Sequence, residues 1–425
     1  MLSCHLILLD YYMTDKKSIM RTAWTVTSAG IGINLALGVL YAWSMFRKSI
    51  LDNWGWSDFQ AGAPYALAGL VFAFTMIPAG RLQDKFPPRL IATLGGILVG
   101  AGMMLCAAFG NSFWAITLGF GVLVGAGIGF GYAVVTPAAV KWFSPARTGL
   151  IAGLIVSGSA LSSVIIVPVA KTLLADGADA IPSAFFYIGA GILVAVTVLA
   201  QFLKNPPADH KPAEPRKKNS STIHGEEMPW RRMLATRQFW LLWAMYFFSA
   251  GTGYMLIGQA MKLAKDVIPQ ADFAQLAFLS LILLALGNGA GRILAGHISD
   301  SLGRMRTLFL VFFMQAVALA IMLYLVSAAS VPALFATITF VGFNYGACLS
   351  VFPAVSKDYF GLRNYGMNYG LLFTAWGVGG AVLTQLAGFF NDRTNSLTGA
   401  FITCICGLAV AMAITFITRP PHSTK

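Results

Sequence analysis

Twelve mostly apolar runs of 18 or more residues follow one another along this chain, near 22–46, 57–80, 89–110, 113–140, 149–175, 182–203, 238–262, 273–299, 305–328, 331–356, 364–389 and 397–418. A helix of that length crosses the roughly 30 Å hydrocarbon core of a bilayer. In hydrocarbon each backbone N–H and C=O needs a partner inside its own segment, so each run is expected to be a helix. Composition closes the alternatives. Hydrophobic residues make up 57% of the 425 and charged residues only 11%. A water-facing surface needs about 25% charge, so a soluble domain is excluded, and disorder with it. The fold class is an all-α polytopic membrane protein.

The net charge of +13 would suggest nucleic acid in a soluble protein, but its distribution points elsewhere. With twelve crossings both termini share one side, and that side receives 22 of the 29 Lys and Arg, while the opposite side receives six. The positive-inside rule therefore predicts cytoplasmic termini and a multi-pass protein of the plasma (inner) membrane, bathed in lipid, with no nucleic-acid partner. The one basic residue on neither side is Arg292.

Other features are quieter. Cys4, Cys106, Cys348, Cys404 and Cys406 form no CxxC pair, so no disulfide framework, metal site or cofactor is indicated. The opening MLSCHLILLDYY lacks a basic n-region and does not read as a signal peptide; Met13 is a candidate start. The polar stretch 204–237, with Pro206, Pro207, Pro212, Pro215 and Arg216-Lys217-Lys218, reads as a solvated linker. It divides the chain into a tail (1–21), two units of six spans (22–203 and 238–418) and a second tail (419–425).

The two units repeat. Gly80, Asp84, Pro137, Lys141 and Arg147 recur as Gly296, Asp300, Pro353, Lys357 and Arg363, each 216 residues later. Five pairs at one offset predict a duplicated six-helix bundle with pseudo-symmetry, the construction of many secondary transporters, whose substrate site lies near mid-membrane between the halves. Gly80, Asp84, Gly296 and Asp300, with Arg147 and Arg363, are accordingly gating candidates at the cytoplasmic mouth. Ladders of small residues, Gly121/Gly125/Gly129, Gly153/Ser157 and Gly366/Gly370, read as helix-packing faces.

The segments GRLQDKFPPR (Gly80 to Arg89) and GHISDSLGRMR (Gly296 to Arg306) resemble the loop signature of the major facilitator superfamily, the first departing at Pro87. KWFSPARTGLIAGLIVSGSALS (Lys141 to Ser162), GVLYAWSMF (Gly38 to Phe46) and DYFGLRNYGMNYG (Asp358 to Gly370) are similar to its monocarboxylate transporter and oxalate/formate exchanger branch. The resemblance implies twelve helices and carriage of small organic anions. Departures accompany it. Met45 and Asn288 stand where animal monocarboxylate transporters resemble this chain but carry a lysine and an acid, and Leu372 stands where the oxalate/formate exchangers carry a lysine. The first two put the usual proton-handling pair in doubt. The third argues against a dicarboxylate, which would bring a second buried charge without a partner.

Arg292 lies eight residues before Asp300, about 12 Å inside the cytoplasmic end of its helix at 1.5 Å per residue. A guanidinium there costs at least about 2.5–3.5 kcal/mol unless it faces a cavity or partner. No Asp, Glu or Lys falls mid-span, so the expected partner is a substrate carboxylate held by the two-pronged fork. Asn288, four residues earlier on the same face, is a candidate to orient the fork or contact substrate. Tyr41, Tyr132, Tyr345 and Tyr369 are candidates to donate hydroxyls while walling an apolar pocket. No catalytic residue is indicated: the five histidines lie in loops, tails or at a helix end. Nothing resembles an ATP-binding loop, and duplicated halves disfavour a passive channel. The expectation is a gradient-driven carrier of small monocarboxylates such as lactate or pyruvate, coupled to a proton on the substrate carboxylate or on Asp266 or Asp272. The alternative is an exchanger of the oxalate/formate type.

Overall fold

The computed structural model describes residues 2–83, 85–143, 148–175, 177–207, 227–268, 273–328, 330–361 and 364–421. Among these residues all regular structure is helical, and twelve helices are long and apolar enough to cross a bilayer. The first six are span 1 (Ser18–Trp54), span 2 (Asp58–Leu82), span 3 (Pro88–Phe109), span 4 (Phe113–Val140), span 5 (Ile151–Leu173) and span 6 (Ala180–Ala200). The second six are span 7 (Arg237–Val267), span 8 (Leu276–Leu302), span 9 (Arg304–Tyr324), span 10 (Val331–Phe360), span 11 (Tyr365–Thr394) and span 12 (Thr398–Ile417). These are the twelve expected runs. The clearest difference is span 1, which continues to Trp54 because Arg47, instead of marking a loop, is buried against Asp58 of span 2.

Local chemistry sets the ends. Gly55, at φ 67°, closes span 1 in the left-handed conformation that favours glycine. Two residues on, Ser57 opens span 2 with a capping box: its hydroxyl accepts from Gln60 N at 3.1 Å, and Gln60 Oε1 accepts from Ser57 N at 3.0 Å. Phe109, Trp114, Tyr324 and Phe416 are each more than 60% exposed, a placement that suits lipid and would be costly in water.

Inside, small residues replace large ones. A Cβ on Gly287 or Gly291 of span 8 would lie 2.0 Å from the Thr339 or Phe343 carbonyl oxygen of span 10. Gly342 and Gly346 of span 10 return the approach, 2.1 and 2.0 Å from the Leu284 and Asn288 carbonyls. The two backbones touch, and this contact fixes span 8. The ladder Gly121/Gly125/Gly129 packs on span 2 as expected, with Ala68 O at 2.6 Å from a Cβ on Gly125. The other two ladders do not. Gly153 and Gly366 have nothing within 4 Å of a Cβ, and Gly370 makes only ordinary contact with Ile77 of span 2, its Cα at 3.8 Å, so neither face forms a close backbone seam.

Across the halves, span 2 packs on span 11, span 5 on span 8, and span 1 on span 7. The repeat maps spans 1, 2 and 5 onto 7, 8 and 11, so it exchanges the first two contacts and returns the third to itself, as a pseudo-two-fold axis requires. The linker ends are docked: Trp142 Nε1 donates to Lys204 O at 2.9 Å, Met228 N to Phe360 O at 3.1 Å, and Asn368 Nδ2 to Met228 O at 2.9 Å. The buried Met228 and Met233 explain why 227–237 is held and not simply solvated.

Candidate functional site

Arg292 is 4% exposed and sits where the halves meet. The glycine contact with span 10 turns Asn288 and Arg292, each one residue past Gly287 and Gly291, toward the interface. Arg292 Nε donates to Asn288 Oδ1 at 3.1 Å within span 8. The fork reaches across to the other half: Nη1 donates to the Val156 carbonyl and to Ser159 Oγ (3.2 Å) on span 5, and Nη2 donates to Tyr41 Oη (3.0 Å) on span 1. All four partners are neutral. Asn288 keeps its Nδ2 without a hydrogen-bond partner among the described residues.

Tyr41 reaches the arginine because span 1 breaks. Residues Gly38–Ala42 form a 3₁₀ turn between two α-helical stretches, and such mid-span breaks mark sites where backbone lines a cavity. Glycine is required at the break: a Cβ on Gly38 would lie 2.1 Å from Ser162 Oγ and 2.8 Å from Ser159 O. Ser162 Oγ instead donates to Gly38 O at 2.8 Å, joining the broken turn to span 5.

A cavity of about 30 Å³ opens beside the guanidinium, lined among others by Tyr41, Tyr132, Tyr345, Phe373 and Trp376. Tyr345 Oη accepts from Trp376 Nε1 at 2.8 Å, which leaves its own proton available to a second acceptor. Phe72, Phe373 and Trp376 form the apolar wall, with ring centroids 5.0–5.5 Å apart. Cation and hydroxyl donors at one end and aromatic surface at the other match the chemistry of a small anion with an apolar body, although the volume in this state is that of about one or two waters and must widen to admit one.

On the face away from the termini the cavity is closed by two interlocked tyrosines. Tyr65 Oη donates to Tyr254 O at 3.0 Å, Tyr254 Oη donates to Tyr65 O at 2.7 Å, and the rings stack at 4.1 Å. Further out, Asp392 of span 11 caps span 2, accepting from Asp58 N (2.8 Å) and Phe59 N (3.0 Å). Lys265 of span 7 lies 3.7 Å from Asp52 of span 1. Both are contacts between halves.

The structure brings Arg292, Tyr41, Tyr132 and Tyr345 together at the cavity, with Asn288 bonded behind the arginine. Tyr369 does not line it. It stacks on Tyr365 at 5.8 Å and meets Phe373 at a tilt, 5.7 Å away, behind the wall. Of the gating candidates, Gly80 has nothing within 4 Å of a Cβ and so admits no neighbouring helix, whereas Gly296 abuts Ser350 Oγ at 2.6 Å. Asp300 pairs with Arg304 at 2.6 Å, and Arg304 with Asp358 at 2.9 Å, all within the second half. Asp84, Arg147 and Arg363 lie outside the described residues, as does Asp272. Asp266 pairs with Lys262 at 3.5 Å. Sequence reasoning missed Ser159, Trp376 and the Tyr65/Tyr254 pair. Only the identical Tyr-xxx-Gly spacing of Tyr65/Gly69 and Tyr254/Gly258 carried a signal, since each ring packs over the other helix's glycine.

The family model described as Major Facilitator Superfamily matches residues 23–381 and 268–425. The chain is 28% identical over 364 residues to an uncharacterized MFS-type transporter, YhjX, of Escherichia coli, covering 84% of this chain and 86% of the relative. It is 26% identical over 389 residues to the oxalate:formate antiporter of Oxalobacter formigenes, covering 90% and 89%. Against monocarboxylate transporter 12 of Rattus norvegicus it is 24% identical over 340 residues, covering 75% and 68%. Among solved structures, a bacterial homologue of the human lysosomal transporter Spinster superposes with a TM-score of 0.67 at 15% identity, covering 94% of this chain and 96% of the other.

Proposed function

The chain belongs to the major facilitator superfamily, and from that premise we propose that it is a secondary transporter of small monocarboxylates, lactate or pyruvate by preference, moving one proton with each anion. The observation that carries the reading is the buried Arg292, whose hydrogen-bond partners among the described residues are all neutral, beside a cavity walled by aromatics. A desolvated guanidinium binds a carboxylate through two parallel charge-assisted bonds. One fixed cation and one mobile anion form a neutral pair, so electroneutral co-transport with a proton is the stoichiometry that avoids moving net charge. Tyr41, Tyr132 and Tyr345 would supply further donors to the carboxylate, and Asn288, bonded behind the arginine, would orient the fork; Tyr369 would support the wall through Phe373.

The relatives named for oxalate:formate antiport and for monocarboxylate transport support an anionic substrate. Against a dicarboxylate stands the cavity lining, in which Arg292 is the one cation among the described residues, so a second carboxylate would have no partner. In this reading the units 22–203 and 238–418 rock about the site in the plasma membrane with both termini cytoplasmic. Gly296, Asp300 and their counterparts Gly80, Asp84, Arg147 and Arg363 would stand at the cytoplasmic mouth.

Proteoliposomes test the proposal with radiolabelled lactate, pyruvate, formate and oxalate. Saturable uptake of the monocarboxylates, counterflow, and several-fold stimulation by an inside-alkaline gradient are expected. Uptake indifferent to the gradient, with oxalate the best competitor, would overturn proton-coupled monocarboxylate transport in favour of exchange.

A further inference from the structure

A bidentate carboxylate occupies the two terminal nitrogens of an arginine fork. In this protein each of those nitrogens already has a built-in acceptor from the opposite half. Nη1 is held by the Val156 carbonyl and Ser159 Oγ, and Nη2 by Tyr41 Oη. Ser159 Oγ donates in turn to Val156 O at 2.9 Å, so hydroxyl, carbonyl and guanidinium complete a ring. The arrangement is prepared by the backbone. Gly158 lets span 5 lie against span 1, a Cβ there falling 2.6 Å from Ile31 O, and the Ser162 to Gly38 bond fixes the turn that presents Tyr41.

We infer that these acceptors act as a surrogate carboxylate, allowing the protein to reorient without an anion and hence to perform net transport, not only one-for-one exchange. The inference rests on the carrier reading above and deepens it by assigning the transport mode. The physical reason is the cost of an unsatisfied cation. A guanidinium enclosed between halves with bare prongs would make an anion-free crossing prohibitive, which would restrict the carrier to exchange. Acceptors on both prongs, drawn from the half that must move relative to span 8, offset much of that cost. An arriving carboxylate displaces neutral acceptors with a stronger charge-assisted pair, and its departure returns the fork to Ser159, Val156 and Tyr41. Ser159 is therefore a positioning residue of the return step.

The test compares two modes in proteoliposomes holding the purified full chain, using whichever of labelled lactate, pyruvate and formate is taken up fastest. Vesicles without internal substrate report net uptake, and vesicles preloaded with the same unlabelled acid report exchange. The wild-type net rate is expected to be at least about a tenth of the exchange rate, since each 1.4 kcal/mol of uncompensated cost would lower it tenfold. Ser159→Ala should lower the ratio of net to exchange several-fold, and Ser159→Thr, which keeps the hydroxyl, should restore it. Wild-type uptake confined to preloaded vesicles would overturn the inference, and the proton-coupled mode with it, while leaving carboxylate carriage through Arg292 intact. Equal loss of both modes in Ser159→Ala would overturn it as well. No saturable uptake in either mode would sink the carrier reading, and the inference with it.

Discussion

Arg292→Gln is expected to reduce carboxylate uptake by at least roughly 30-fold while leaving the protein folded, because removing one member of a buried charge pair costs about 2–5 kcal/mol. The glutamine amide can still donate to Val156 O or Ser159 Oγ, so the span 5 to span 8 contact keeps part of its bonding. Arg292→Lys should also fail. An ammonium is a point charge and cannot present two parallel donors. Initial rates in proteoliposomes, normalised to the monodisperse peak on size exclusion, measure the effect. Uptake within a few-fold of wild type in the glutamine variant would remove Arg292 from the substrate site.

The second large effect concerns folding. Gly291→Val should yield little or no folded protein. Its Cβ alone would fall 2.0 Å from Phe343 O, where ordinary contact begins at 3.4 Å. Spans 8 and 10 would have to part by about 1 Å or more along a tightly packed seam, and overpacking of this kind costs about 1–3 kcal/mol even where side chains can yield. Here the opposing atoms are backbone. Gly80→Ala is the control: with nothing within 4 Å, it should leave thermal stability in detergent unchanged or slightly raised through better helix propensity. Equal melting temperatures for wild type and Gly291→Val would contradict the seam.

The twelve spans and the duplication were legible because each depends on a strong, local pattern: run length, charge placement and a constant offset. Arg292 was legible for the same reason, as the one basic residue assigned to neither side of the membrane, and its bond to Asn288 follows from the four-residue helical spacing. What a sequence does not display is which face of one helix meets which face of another. Gly287/Gly291 and Gly153/Ser157 share the same spacing, yet the first pair meets a backbone and Gly153 meets nothing. Ser159 reads as a small residue in an apolar span until span 8 is placed opposite it. Tyr369 shares a helix face with Phe373 and Trp376 by spacing, but sits a turn away from the cavity, over Tyr365. Arg47 was placed outside the membrane by its charge, and only the fold shows it buried beside Asp58.

The central claim is that Arg292 holds a substrate carboxylate between the two halves. Equilibrium binding of labelled lactate and pyruvate to the detergent-solubilised protein measures it without the complications of transport. Saturable binding to the wild type, displaced by other monocarboxylates better than by oxalate and reduced at least roughly 30-fold in Arg292→Gln, is the result expected from losing about 2 kcal/mol or more of paired charge. Binding of either acid to Arg292→Gln with wild-type affinity would contradict the claim.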